Sequence, residues 1–234
     1  MLPTLNVPTF ETKLISLDKP VRYRPFTVKE EKILLIAEEG KEEKEILFAI
    51  RQILQNCLVT EIDVNRLPLF DLEYLFLQIR SKSVTNVSTV KYRDLEDEEI
   101  REFEINFDQI KPTLDPNHTT EIKLQNDFIV TFKYPTIEMM SRLDIKKLDE
   151  IDTSLEMLAE CLDKIIQGED AYVAEHYTQE ERMNFIESLP VPQFEKVLDQ
   201  FLTSMPKMTY TINYTNSLGN QREIVLEGFR SFFP

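Results

Sequence analysis

Residues 68–83, PLFDLEYLFLQIRSKS, decide how the rest of the chain has to be built. Leu69, Phe70, Leu72, Tyr74, Leu75, Phe76, Leu77 and Ile79 cover nearly every face of a helix, and only Asp71, Glu73 and Gln78 interrupt them. A helix that is apolar all round must be enclosed, by its own fold or by a partner. Pro68 suits a first helical turn, where its missing N–H is no loss. Arg80 and Lys82 stand at the end where the helix dipole favours cations. The pattern predicts a central core helix, with a helix partly waiting for a partner as the alternative.

Upstream, TLNVPTF, TKLISL and VRYRPF read as extended segments confined to edges by Pro8, Pro20 and Pro25. Thr27 and Glu30 make an S/T-x-x-E capping box that opens a helix ending at Gly40, a C-terminal cap. A second helix over 41–58 carries Ile46, Leu47, Ile50, Ile53, Leu54, Cys57 and Leu58 at a 3.6-residue period.

Downstream the period changes. Residues 84–92 and 100–107 alternate, with Phe103, Ile105 and Phe107 on one face. Between and across them runs DLEDEEIREFE (94–104), seven carboxylates in eleven positions. It lacks the glycine-centred loop of a calcium site and reads as a solvated turn and outward strand face. Residues 121–134 form a hairpin turning at Asn126-Asp127. Helices are expected over 136–148 and 151–166, then from the Thr178–Glu181 capping box to about Leu189, and again from Pro192. MTYTINY and REIVLE flank NSLGN as a last hairpin, before a tail with Phe229, Phe232 and Phe233. Such a tail must fold back on the body or insert into a neighbour, since exposed it invites aggregation. The fold class is therefore α+β: amphipathic helices packed with extended N-terminal segments and a C-terminal hairpin, plus a β-rich middle insertion. The whole of 1–234 reads as a single domain with 84–134 as the insertion; a separate small β subdomain, split near 84 and 135, is the alternative.

Composition narrows the function. With 42% hydrophobic and 29% charged residues the chain reads as globular, and no apolar run approaches the roughly 20 residues that cross a bilayer. The first residues, MLPTLNVPTFETK, lack a basic stretch followed by an apolar block, so no signal peptide is expected, and the cytoplasm is. A net charge of −15 repels nucleic acid and anionic membranes and selects basic partner surfaces. Four scattered glycines exclude a phosphate-cradling loop. Cys57 and Cys161 sit in helical apolar patterns and read as buried free thiols. His118 and His176 are too isolated for a histidine metal centre or a Cys–His nucleophile pair, and Glu175, Glu180 and Glu181 near His176 read as surface. Neither HExxH nor GxSxG occurs. No catalytic, cofactor-binding or metal-binding residue is expected, and hence no enzyme and no cofactor.

Three stretches resemble the T4-type bacteriophage baseplate hub subunit family, also described as baseplate hub assembly proteins. They are YRPFTVKEEKILLIAEE (23–39), DLEYLFLQIRSKSV (71–84) and EIVLEGFRSFF (223–233), and they span the chain in the family's order. Some members carry cysteine pairs in the β-rich middle or the last hairpin, which suggests a zinc knuckle. This chain departs from them: its last hairpin reads NYTNSLGN. The resemblance implies a non-enzymatic tail protein acting in assembly of the central baseplate hub, as an assembly chaperone or as a permanent structural subunit. An unrelated cytosolic enzyme with a scattered active site is the reading outside that setting. The partners implied are other hub or tail proteins, with self-association as a further option, in the host cytoplasm during assembly or in the virion baseplate. Tyr74 and Phe76 on the central helix, and Phe229, Phe232 and Phe233 in the tail, are the residues expected to meet a partner.

Overall fold

A computed structural model describes residues 5–40, 43–142, 151–228 and Ser231. The prolines near the start leave room only for short strands, and β1 (Phe10–Thr12) pairs antiparallel with β2 (Val21–Tyr23). Then come α1 (Val28–Gly40), α2 (Glu43–Cys57) and α3 (Leu69–Ser83), the antiparallel pair β3 (Val87–Arg93) and β4 (Ile100–Asn106), and the short β5 (Pro112–Thr113). The chain next builds β6 (Glu121–Lys123), β7 (Phe128–Phe132), α4 (Ile137–Arg142), α5 (Ile151–Cys161), β8 (Leu162–Gln167), β9 (Asp170–Val173), α6 (Gln179–Glu187) and α7 (Val191–Val197). It closes with the hairpin β10 (Lys207–Thr215) and β11 (Gln221–Glu227). The fold is α+β, in two compact units: Met1–Thr113 with Lys207–Pro234, and Leu114–Pro206.

The first unit is built on α3. Leu72, Leu75, Phe76, Leu77 and Ile79 are fully buried, and the helix touches α2, the turn after β4, β5 and β10. Its own chain thus encloses its apolar side chains, and Tyr74 is buried with the rest. The polar interruptions have distinct fates. Asp71 is buried and accepts hydrogen bonds from the amides of Ile15 and Ser16 at 2.9 and 2.7 Å, which pins the β1–β2 loop to the helix. Glu73 is half-buried, and burial pushes its carboxyl up to about 7. Raised above its ordinary value, Glu73 supports the fold at low pH and loses that support as pH rises through about 7.

Glu30 behaves in the opposite sense. Burial raises its pKa, but hydrogen bonds from Arg24 and Thr27 outweigh this and hold it at about 2. Its carboxylate takes the Thr27 N–H at 2.9 Å and the Thr27 hydroxyl at 2.7 Å, the reach-back half of the predicted capping box. This support is present above the ordinary carboxylate range and is lost as pH falls through about 2. Gly40 is the last residue of α1 and is not among the glycines with positive φ, so it does not form the left-handed cap.

The second unit carries an antiparallel sheet in the order β6-β7-β8-β9. The β6–β7 hairpin turns at Asn126 and Asp127, whose φ of 56° and 60° are those of the central residues of a primed turn, closed by the Phe128 amide on the Gln125 carbonyl at 3.2 Å. Thr178 and Glu181 form both halves of a capping box at the start of α6. His118 stands between Tyr134 Oη at 2.8 Å and Ser204 Oγ at 3.0 Å, and burial lowers its pKa. The Phe132 and Phe201 rings stack beside it at 4.7 Å.

One expected helix meets a different structure. The helix predicted over 151–166 stops at Cys161, and Leu162–Gln167 is strand β8, paired with β7 and β9. Ile165 and Ile166 fit the apolar helical period, but they are β-branched and precede a tight turn at Gly168, φ 61°, so sheet pairing wins. The helix expected over 136–148 is present as α4, and 143–148 lies outside the described residues. The β-rich stretch 84–134 is shared between the units, β3–β5 belonging to the first and β6–β7 to the second. Cys57 and Cys161 are buried free thiols, each pushed up to about 12 by burial.

Candidate docking surface: two braced hairpin tips

The acidic run 94–104 is not simply a solvated turn. β3 and β4 end at the pair Arg93–Ile100, leaving residues 94–99 as the tip. Asp94 is 0% exposed, and the Asp97 side chain is 3% exposed. Both first serve their own loop: Asp94 Oδ1 accepts the Glu96 amide at 2.7 Å and Asp97 Oδ1 the Glu99 amide at 3.0 Å. These side-chain turns let Glu98 take a φ of 59°.

The tip of the β10–β11 hairpin lies along this loop in matching register. Tyr214 Oη donates to Asp94 Oδ2 at 2.6 Å, Asn216 Nδ2 to Glu96 Oε2 at 2.6 Å, and Ser217 N–H to Asp97 Oδ2 at 2.9 Å. Each pair is 120 residues apart. Ser217 Oγ and Asn220 Nδ2 add bonds of 2.8 and 2.7 Å to Asp97 and Glu96. Within its own turn Asn216 Oδ1 accepts the amides of Leu218 and Asn220 at 3.1 and 2.9 Å, and Gly219 supplies a φ of 83°.

Arg101 closes the clasp. Its guanidinium grips Asp97 through both terminal nitrogens, donates to Glu99 Oε2 at 2.7 Å and lies 5.5 Å from the Tyr214 ring centroid. Arg222 reaches Asp94 at 3.8 Å and Glu96 at 3.7 Å. Bidentate, charge-assisted bonds of this kind fix orientation as well as adding energy. The bonds from Arg101 hold the Asp97 carboxyl far below the usual carboxylate range. The bond from Tyr214 lowers Asp94, while burial and the same bond push the Tyr214 hydroxyl up.

Five carboxylates at the 94–99 tip meet three guanidiniums, Arg93 pairing with Glu98 at 3.4 Å, so the braced tips keep a negative balance. Every carboxylate is occupied by an arginine, amide or hydroxyl donor, which does not fit a metal site, and the described residues hold no group of three or more His, Cys, Asp or Glu arranged for one. Among the side chains the clasp leaves uncovered, three are large and apolar: Leu95 is 84% exposed, Ile100 69% and Leu218 62%, beside the exposed Glu98 and Glu99. Exposed apolar side chains on an over-determined backbone can be covered with little loss of loop entropy.

None of the residues expected to meet a partner belongs to the 94–99 or 216–220 tips. Tyr74 and Phe76 are buried in the first unit, and Phe229, Phe232 and Phe233 lie outside the described residues. The tips escaped the sequence because their bonds join segments 120 residues apart. A partial signal was present in Arg101, four residues after Asp97 within an acidic run, and in the donor-rich stretch NYTNSLGN.

Among the described residues no helix is long and apolar enough to cross a membrane. No curated protein and no solved structure matches the chain. The model of one family does, over residues 7–234, and it is described as T4 bacteriophage base plate protein. A match across nearly the whole length places the chain in that family: it is a member of the T4 bacteriophage base plate proteins.

Proposed function

We propose that this baseplate protein works without catalysis in building the central hub, as an assembly factor that docks on other hub proteins through its braced tips. The observation that carries this reading is the pairing of uncovered Leu95, Ile100 and Leu218 with a backbone locked by charged hydrogen bonds. Such rigidity is unnecessary for a solvated turn and lowers the entropic cost of binding. The net charge of −15 favours a partner with a basic rim and disfavours nucleic acid. Assembly in the host cytoplasm goes with this role. A permanent hub subunit is the second reading, favoured by the family's description as a base plate protein. Phe229, Phe232 and Phe233 are a further proposed contact.

Hydrogen exchange tests the docking surface directly. The full-length protein is compared alone and mixed with baseplate assembly intermediates purified from cells infected by the phage that encodes it. Exchange at residues 94–99 and 216–220 is expected to slow in the mixture. Protection that appears elsewhere, with the tips unchanged, would overturn docking through the tips.

A further inference from the structure

We infer that the open edge of β9, with the apolar cleft beside it, takes an extended basic segment of a partner protein as an added strand. This second contact lies in the Leu114–Pro206 unit, and it rests on the reading that the chain works by binding other baseplate proteins.

β9 is the terminal strand of its sheet, and Asp170, Ala171 and Tyr172 are exposed. Gln167 and Asp170 close a two-residue turn over Gly168 and Glu169, so they form a hydrogen-bonded pair, as do Ile165 and Tyr172. The N–H and C=O of Ala171 and the N–H of Val173 therefore point away from β8, to the open edge, while the Val173 C=O caps the short helical turn Ala174–His176. Those groups are a template for one more strand.

Beside that edge is a cleft of about 180 Å³, walled by Leu162, Ile165, Tyr172, Tyr177, Arg182 and Phe185. It falls below the roughly 300 Å³ at which small-molecule and cofactor sites begin, and its size suits one bulky side chain. Tyr172 and Tyr177 are 38% and 39% exposed at its mouth.

Charge selects the occupant. Asp170 shares the cleft face with Tyr172 by strand alternation, Glu181 lines the cleft, and Glu169 stands at the turn. The cations nearby are committed or turned away. Arg182 donates to buried Glu160 at 2.8 Å, Lys133 pairs with Glu175 at 3.2 Å, and Lys164 lies on the face opposite Ile165. A second copy of so acidic a chain is repelled here. A segment with an apolar side chain between two lysines or arginines places all three on the cleft face, since every second residue of a strand shares a side.

The test uses the full-length chain and two synthetic peptides, TKVLVKT and its charge-reversed form TEVLVET, followed by fluorescence polarisation and amide exchange. TKVLVKT is expected to bind and to slow exchange at Ala171 and Val173, with TEVLVET at least tenfold weaker. Ala171→Pro removes an outward donor without touching the β8 ladder, and proline is tolerated at such edge positions. It should weaken TKVLVKT at least tenfold while Ile165 stays protected from exchange, which reports an intact sheet. Asp170→Asn, which leaves the backbone edge intact, should weaken TKVLVKT and narrow its advantage over TEVLVET. Equal affinity for the two peptides, undiminished binding by Ala171→Pro, or self-association of the chain that Ala171→Pro abolishes would each overturn the proposal. Peptides that fail to bind while hub intermediates still protect the tips would overturn this inference and leave the tip docking standing.

Discussion

Phe76→Ala is expected to lower the unfolding free energy of the first unit by about 3–5 kcal/mol, the range for truncating a fully buried phenylalanine. Phe76 is completely shielded at the middle of α3, between Leu75 and Leu77, which are equally shielded. The surrounding elements have little freedom to collapse into the space. Asp71 ties α3 to the β1–β2 loop, Ser83 accepts the Phe26 amide at 2.8 Å, and α2, β5 and β10 pack around the rest. Because the chain has two units, the loss is best read by hydrogen exchange at first-unit amides under rising urea, where β10 and α3 should open together and earlier. This result decides between the two roles open to the helix. A variant as stable as its parent that nonetheless fails to enter hub complexes would return Phe76 to partner binding.

The second large effect is expected at the clasp. Arg101→Gln removes the grip on both Asp97 oxygens, the bond to Glu99 and the cation over Tyr214 in one step. Asp94, Asp97 and Glu99 then lose their shared cation, with Arg222 still reaching Asp94. Exchange at 94–99 and 216–220 should accelerate while the buried part of α3 keeps its protection. Binding to hub intermediates should weaken more than tenfold, because the tips must be ordered at the moment of docking. Arg101→Lys should repair little of this, since an ammonium cannot span both carboxylate oxygens as a guanidinium does. Unchanged tip exchange in Arg101→Gln would mean that the amide and hydroxyl bonds alone hold the two hairpins together.

What the sequence made legible was local. The all-apolar run at 69–79, the capping box at Thr178, and the Asn126-Asp127 turn each depend on residues within a few positions of one another, and each stands where expected. The last hairpin was also legible, from alternation on both sides of NSLGN. β8 was not, because Leu162, Ile165 and Ile166 satisfy a helical period as well as a buried strand, and the partner that decides between them, β7, comes thirty residues earlier in the chain. The clasp was hidden for the same reason at greater range. Seven carboxylates in eleven residues look solvated until Tyr214, Asn216 and Ser217 are brought to them by the fold. Side chains that bond across long separations leave only composition as a trace, and composition does not show which partner they meet.

The proposed role in hub building is tested most directly by quantitative mass spectrometry of purified virions and of infected cells, from the phage that encodes this chain. An assembly factor is expected to be abundant in infected cells, associated there with hub proteins, and absent from finished virions. A fixed copy number in virions, in constant ratio to other tail proteins, would contradict that account and make the chain a permanent subunit of the baseplate.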